Sequence, residues 1–149
     1  MKPVKILIVA AAMLAGSVVL AHTDEYLDTL QAPNGGQLRM AGIYHFELVV
    51  ARDNKQPKED SVVVYVTDHA GTKVSTVGAG GTVTILAGKR KATAKLVPDG
   101  DNRLKASIKY ASAKDMKVVV SVAMPGKVVL QARFTPLAAA RDVHADHMR

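Results

Sequence analysis

The stretch Tyr44-His45-Phe46-Glu47-Leu48-Val49-Val50 alternates apolar and polar side chains, and this alternation decides the fold class. Successive side chains of a β-strand point to opposite faces of a sheet. The apolar residues at positions 44, 46, 48 and 50 therefore share one face, which we expect to pack into a core. His45 and Glu47 then lie side by side on the opposite face.

Similar apolar runs follow at short intervals, and turn residues separate them. About seven or eight such strands in roughly 110 residues are typical of an antiparallel β-sandwich. The sequence therefore predicts an all-β fold of immunoglobulin-like architecture, without the cysteines and tryptophan of antibody domains. The other predicted strands cover residues 62–67, 82–86, 92–97, 103–110, 117–124 and 128–134, with hairpin turns at 88–90, 98–102 and 125–127.

The amino-acid composition limits the classes of function open to this chain. A chain of 149 residues, 48% hydrophobic and 22% charged, corresponds to one globular domain. The absence of cysteine excludes disulfides, thiolate metal sites and a cysteine nucleophile. With 4% aromatic residues the chain offers few stacking surfaces, so we expect no nucleic-acid partner. No hydrolase, metalloprotease or phosphate-loop motif occurs, so we expect a protein that is not an enzyme and uses no organic cofactor.

The N-terminal residues predict a cleaved signal peptide over residues 1–21. A short basic segment precedes the apolar run from Ile6 to Leu20, and Ala21 supplies a small residue for cleavage. The run is shorter than the about 20 residues that span a bilayer. We therefore expect a periplasmic protein with no stable membrane insertion, a retained anchor being the alternative. The remaining predicted parts are an N-terminal arm at 22–36, extended or briefly helical, the β-sandwich at 37–136 and a mobile tail at 137–149.

Histidines supply the most informative chemistry. Imidazole and carboxylate groups are good ligands for Zn²⁺, Cu²⁺, Ni²⁺ or Co²⁺, and His45 and Glu47 present one of each at adjacent positions on one strand face. His69, in a predicted turn after Asp68, is a candidate to complete that site. The alternative is an exposed, solvated strand face with no metal.

The ends of the chain carry the other histidines. Cleavage after Ala21 makes His22 the first residue, and its α-amine and imidazole can chelate Cu(II), more weakly in mild acid. His144 and His147, spaced i, i+3 in the tail, form a secondary candidate site whose alternative is a solvated terminus. The three methionines at positions 40, 116 and 124 are interpreted as core fillers rather than a Cu(I) site.

The charge balance is basic. The formal net charge is +7, and removal of Lys2 and Lys5 with the signal peptide would leave +5. Residues 73–117 hold ten Lys or Arg against three Asp, and most of these cations alternate with apolar residues along predicted strands. We expect them on the outer face of the sandwich. An alternative function follows, a metal-free interaction module that docks to an acidic partner through this basic face.

Two segments together carry a family resemblance. Pro33-Asn34-Gly35-Gly36-Gln37-Leu38 and the following Ala41-Gly42-Ile43-Tyr44-His45-Phe46-Glu47-Leu48-Val49 resemble the His-Gly-Gly…Gly…His-x-Glu-Leu-Val segment of small periplasmic heavy-metal-associated proteins. Periplasmic adaptors of heavy-metal efflux pumps contain a similar segment. The resemblance implies metal handling, with His45 and Glu47 as matching positions and an efflux-system component as partner. Asn34 stands where the motif often has His, and Asn is a poor ligand for these metals.

A second resemblance concerns the predicted mature start. His22 ahead of a small sandwich is similar to the CopC-like copper carriers, in which an N-terminal His chelate is joined by an Asp-x-His pair. Asp142-Val143-His144 has those letters but lies in the tail. The expectation is a periplasmic binding protein for a divalent transition metal in resistance or delivery. Copper and zinc come first among its candidate metals, followed by nickel and cobalt.

Overall fold

A computed structural model describes residues 23–138 of the chain. Within that range all strand pairs are antiparallel, which confirms the predicted all-β fold of seven or eight strands. The elements are α1 (Asp24–Leu27), β1 (Gln37–Ala41), β2 (Tyr44–Val49), β3 (Lys58–Asp68), β4 (Gly80–Ala87), β5 (Arg90–Pro98), β6 (Arg103–Tyr110), β7 (Lys117–Ala123) and β8 (Val129–Phe134).

The strands form one nearly closed sheet in the order β1-β2-β3-β6-β5-β4-β7-β8. The sheet turns at β5, which pairs with β4 along most of its length and with β6 only through Val97 and Pro98. The two halves of the sheet therefore face each other across one core. The first and last strands approach each other, and the Gln37 side chain bonds the main chain of Thr135, accepting from its N–H at 2.8 Å.

The core confirms the alternation read from the sequence. Phe46 and Leu48 are fully buried, and Tyr44 is 8% exposed. The other strands contribute alternate residues in the same way, because each presents one face inward. Met116 and Met124 are buried in this core, as expected of core fillers. The predicted hairpin turns are confirmed between β4 and β5, β5 and β6, and β7 and β8.

Residues 23–36, here named the N-terminal cover, lie on the outer face of β1 and β2. The single turn of α1 begins at Thr23, whose hydroxyl accepts a hydrogen bond from the Tyr26 N–H. Leu27 is 1% exposed and forms a small second cluster with Ala32 and Leu38. None of the helical structure in residues 23–138 is long and apolar enough to cross a membrane.

Candidate functional site

The candidate site lies on the outer face of the first three strands. His45 on β2 is the register partner of Met40 on β1 and of Thr67 on β3, and Glu47 lies two residues along the same strand. Both side chains point away from the core, as the alternation predicted. Both are nevertheless buried, His45 at 6% and Glu47 at 3% exposure, with the N-terminal cover bonded to Glu47 and the ring of His69 stacked on His45. The alternative of an exposed, solvated face is therefore wrong.

His45 and His69 are brought together. Their imidazole rings stack with centroids 4.9 Å apart and an angle of 21° between planes. His69 follows the last residue of β3, in a turn held by the Asp68 carboxylate, which accepts from the Ala70 and Thr72 N–H groups. Two of the predicted metal ligands thus lie side by side, one on a central strand and one in an anchored turn.

Glu47 makes all its described hydrogen bonds with the N-terminal cover. Its Oε2 accepts from the main-chain N–H groups of Asn34 and Gly36, each at 2.9 Å. Its Oε1 accepts from the Asn34 side-chain amide at 3.0 Å. Hydrogen bonds to a carboxylate are stronger than those between neutral groups. Glu47 therefore anchors the loop at residues 33–36 to β2, and both of its oxygens are engaged there.

Each residue of the Asn34-Gly35-Gly36 segment has a physical role in this anchor. Asn34 donates twice to Glu47, and Gly35 has φ +71°, a conformation that favours glycine. A Cβ at Gly36 would lie 2.3 Å from the Leu48 carbonyl oxygen, so only glycine allows this close approach. Sequence reasoning treated Asn34 as a lost metal ligand and missed its bond to Glu47. The adjacent glycines were the available signal, since they indicate a backbone held close to another strand.

A cavity of about 140 Å³ adjoins this anchor. Its wall includes Glu47 and Asn34 on one side, Tyr65 and Thr67 of β3 on another, and Lys73 at the rim. The cavity is large enough for only a few atoms, so it suits water or a small polar group rather than an organic cofactor.

The remaining predicted ligands lie outside the described residues. His22, His144 and His147 fall in residues 1–22 and 139–149. Across residues 23–138, no group of three or more His, Asp or Glu side chains is arranged to hold a metal ion. The described part of the chain therefore supplies a pair of imidazoles and not a complete ligand set.

The opposite end of the sheet carries a second polar anchor. The Tyr110 hydroxyl accepts from the Ala51 N–H at 2.8 Å and donates to the Ser61 carbonyl at 3.1 Å. Burial raises the pKa of Tyr110 above its ordinary value. Close by, a hydrogen bond from the Asn54 side chain lowers the pKa of Asp60. These groups hold the segment at residues 50–57 and lie far along β3 from the two imidazoles.

Comparison with models of known families, with curated proteins and with solved structures finds no match to this chain. A function is therefore inferred from the sequence and from the geometry of the described residues.

Proposed function

We propose that this chain is an exported binding protein for a divalent transition metal ion, with His45 and His69 as imidazole ligands. The observation that supports this function is the stacked ring pair, 4.9 Å between centroids. In this proposal, rotation about the side-chain torsions turns one nitrogen of each ring toward a common ion. Imidazole is a preferred ligand of Cu(II), Zn(II), Ni(II) and Co(II).

His22 completes the proposed ligand set. It lies outside the described residues. Asp24 accepts a hydrogen bond from the Met40 N–H at 3.3 Å, and Met40 is the register partner of His45. His22 is two residues before Asp24, and two residues of extended chain span at most about 7 Å. Its α-amine and imidazole favour Cu(II), with Zn(II) as the second candidate.

Glu47 has a different role in this proposal. Its oxygens already accept the N–H groups of Asn34 and Gly36, so it is assigned as a positioning residue that fixes the loop at residues 33–36 to β2. His144 and His147 add weak, secondary binding. The protein would hold its ion in the periplasm for resistance or delivery, with an efflux-system component as the receiving partner, in line with the resemblance at residues 33–49.

Calorimetric titration of Cu(II), and separately of Zn(II), tests the proposal. The sample is the untagged chain recovered after export, with its N-terminus read by mass spectrometry. We expect one-to-one binding with Kd below about 1 µM, which is about 8 kcal/mol. The His45→Gln/His69→Gln variant should bind at least about a hundredfold more weakly. The matched control, His144→Gln/His147→Gln, should keep the tight site.

Two further measurements sharpen this test. One extra residue before His22 should weaken Cu(II) binding, because it displaces the α-amine from its chelate ring. Affinity should also fall in mild acid, because only deprotonated imidazole binds the metal. Absence of any binding tighter than about 0.1 mM would overturn the proposal.

A second candidate function rests on the charge distribution. The strands β4, β5, β7 and β8 contain no Asp or Glu but carry five exposed cations: Arg90, Lys91, Lys95, Lys117 and Arg133. No ion pair in residues 23–138 involves any of these five, whereas Arg103 at the start of β6 pairs with Asp99 at 3.1 Å. This uncompensated basic face favours an interaction module that binds an acidic partner.

A poly-glutamate peptide serves as the probe for this second function. Its binding to the chain should weaken steeply as salt is raised, because exposed charges are screened. The Lys91→Gln/Lys117→Gln/Arg133→Gln variant should lose binding. The control Lys55→Gln/Lys58→Gln/Lys114→Gln makes the same charge change elsewhere and should keep it. Equal loss in both variants would mean that net charge, and not this face, is responsible.

A further inference from the structure

Exposed aliphatic side chains gather at one end of the molecule. Ile43 in the β1–β2 turn is 61% exposed, and Val77 in the loop between β3 and β4 is 76% exposed. In and beside the β7–β8 turn, Val128 is 78% and Val129 64% exposed. Single exposed aliphatic residues are ordinary on protein surfaces, but a contiguous group marks an interaction surface.

The three loops adjoin one another. A Cβ placed on Gly42, next to Ile43, would lie 2.9 Å from a methyl group of Leu130, the neighbour of Val129. A Cβ placed on Gly78, next to Val77, would lie 3.2 Å from the Pro125 ring in the β7–β8 turn. The β7–β8 turn therefore lies between the other two loops. We name Ile43, Val77, Val128 and Val129 together the apolar end.

The described chain also starts at this end. Asp24 bonds the Met40 N–H at 3.3 Å, and Met40 is two residues before Gly42 in the β1–β2 turn. The apolar run predicted to enter the membrane ends at Leu20, four residues before Asp24. Four residues of extended chain span at most about 14 Å. Until the predicted signal peptide is removed, that run would hold the apolar end close to the bilayer surface.

We propose that the apolar end is a lipid-contact surface whose four aliphatic side chains insert among the headgroups of the membrane from which the chain is exported. Burial of aliphatic surface drives such insertion, and exposed Lys127 in the same turn can contact lipid phosphates. The contact is peripheral and does not cross the bilayer. Neither His45 nor His69 is among its four side chains.

The chain contains no tryptophan, so a single introduced one reports on its own surroundings. Val128→Trp places the reporter at the apolar end. Lys89→Trp, in the β4–β5 turn, places it at the other end of β4 as the matched control. The exported chain is mixed with vesicles of phosphatidylethanolamine and phosphatidylglycerol. We expect a blue-shifted emission and quenching by brominated lipid for Val128→Trp, and neither effect for Lys89→Trp.

Vesicle sedimentation without a tryptophan excludes an effect of the reporter itself. The unsubstituted chain should partition onto the same vesicles, and Ile43→Ser/Val77→Ser/Val129→Ser should reduce its partition about tenfold or more. Circular dichroism checks that the variant is folded. No vesicle binding by the unsubstituted chain overturns the proposal in favour of a protein partner for this end. Equal shifts of both reporters, or undiminished partition of the serine variant, overturn it as well.

Discussion

Glu47 is a buried carboxylate whose hydrogen bonds tie one loop to one strand. The spacing of His45 and Glu47 predicted a metal-binding pair, because residue type and alternation identify side chains that share a face. Spacing cannot show which donors reach that face from a distant segment. The N–H groups of Asn34 and Gly36, more than ten residues earlier, engage both oxygens. The sequence therefore predicts which face of the strand Glu47 occupies, but it does not predict which groups form hydrogen bonds with Glu47.

The substitution Glu47→Gln tests this anchoring role. One carboxylate oxygen becomes an NH₂ group that faces the N–H donors of the loop, so two donors meet without an acceptor. We expect the free energy of unfolding to fall by about 2–3 kcal/mol in urea titration. Glu59→Gln is the control, because Glu59 is exposed and accepts one bond from Ser107. Equal stability of the two variants would contradict the anchor.

Tyr110 gives a prediction about pH. Burial raises its pKa, so the folded chain holds the phenol proton more tightly than the unfolded chain. This contribution to stability is complete below the unfolded pKa of about 10 and is lost as the pH rises through the folded pKa. Tyr110→Phe leaves the Ala51 N–H and the Ser61 carbonyl without their partner, which should cost about 1–3 kcal/mol at neutral pH.

The two chains should therefore become more alike in alkali. The unfolding free energies of the unsubstituted chain and of Tyr110→Phe are measured by urea titration, once at neutral pH and once at a pH above about 10. The quantity compared is the difference between the two chains at each pH. We expect this difference to shrink as the pH rises, because the variant has no phenol to ionise. A difference that stays constant or grows would show that Tyr110 does not titrate with the expected sign.

At the scale of elements, local periodicity predicted the strands well. It did not predict which segments pack over the outer face of the sheet. The faces of β2, β6 and β7 follow from alternation, which is a property of neighbouring residues. The helix α1 has four residues, too few for a helical period, and its position depends on Leu27 entering a cluster with Leu38. The burial of His45 and Glu47 was missed because contacts from distant segments leave no periodic pattern in the sequence.

The substitution Leu27→Ala should loosen the N-terminal cover. Leu27 is 1% exposed, and truncation of a buried leucine to alanine costs about 2–5 kcal/mol where its surroundings cannot collapse. Met40, the register partner of His45, packs against the cluster that contains Leu27. We therefore expect faster modification of the His45 imidazole by diethyl pyrocarbonate, read by mass spectrometry. Leu30→Ala is the control, since Leu30 is 42% exposed on the same segment. An unchanged rate at His45 in Leu27→Ala would show that another contact holds the cover.

Pairing between distant elements lay beyond sequence reasoning for a different reason. β3 pairs with β6 across about 40 intervening residues, and β4 pairs with β7 in the other half of the sheet. Such register depends on which strands share a core, and every strand here is apolar on one side.

β1 was not predicted as a strand, although its residues 37–41 were placed within the sandwich. It is short, and its central residue is a charged arginine, Arg39, whose guanidinium pairs with Asp28 at 2.7 Å.

At the scale of the whole molecule, the sheet nearly closes where β1 meets β8. We name this meeting line the seam. Gly42 approaches Leu130 at one end of the seam, and Gln37 bonds Thr135 at the other. The Gln37 side-chain amide both donates to and accepts from the Thr135 main chain, as a neighbouring strand would. One glutamine side chain therefore takes the place of some of the main-chain hydrogen bonds that β1 and β8 would form if they were paired.

The substitution Gln37→Ala removes both of these bonds. We expect a loss of about 1 kcal/mol in unfolding free energy, because the Thr135 groups are exposed and gain water in exchange. Hydrogen exchange at the Thr135 amide should accelerate selectively, while amides within the β4–β7 ladder keep their rates. Gln131→Ala, which removes a single exposed bond to Ser121, serves as control. Exchange at Thr135 that stays unchanged would show that the seam is held elsewhere.

The seam has a consequence for the behaviour of many copies together. A strand at the border of a sheet presents a row of unpaired N–H and C=O groups that can template growth onto another molecule. Here the two border strands face each other. Each strand therefore blocks access of a neighbouring copy to the unpaired N–H and C=O groups of the other. Opening the seam would expose both rows at once. A single glutamine side chain thus helps to keep the folded chain from assembling into fibres.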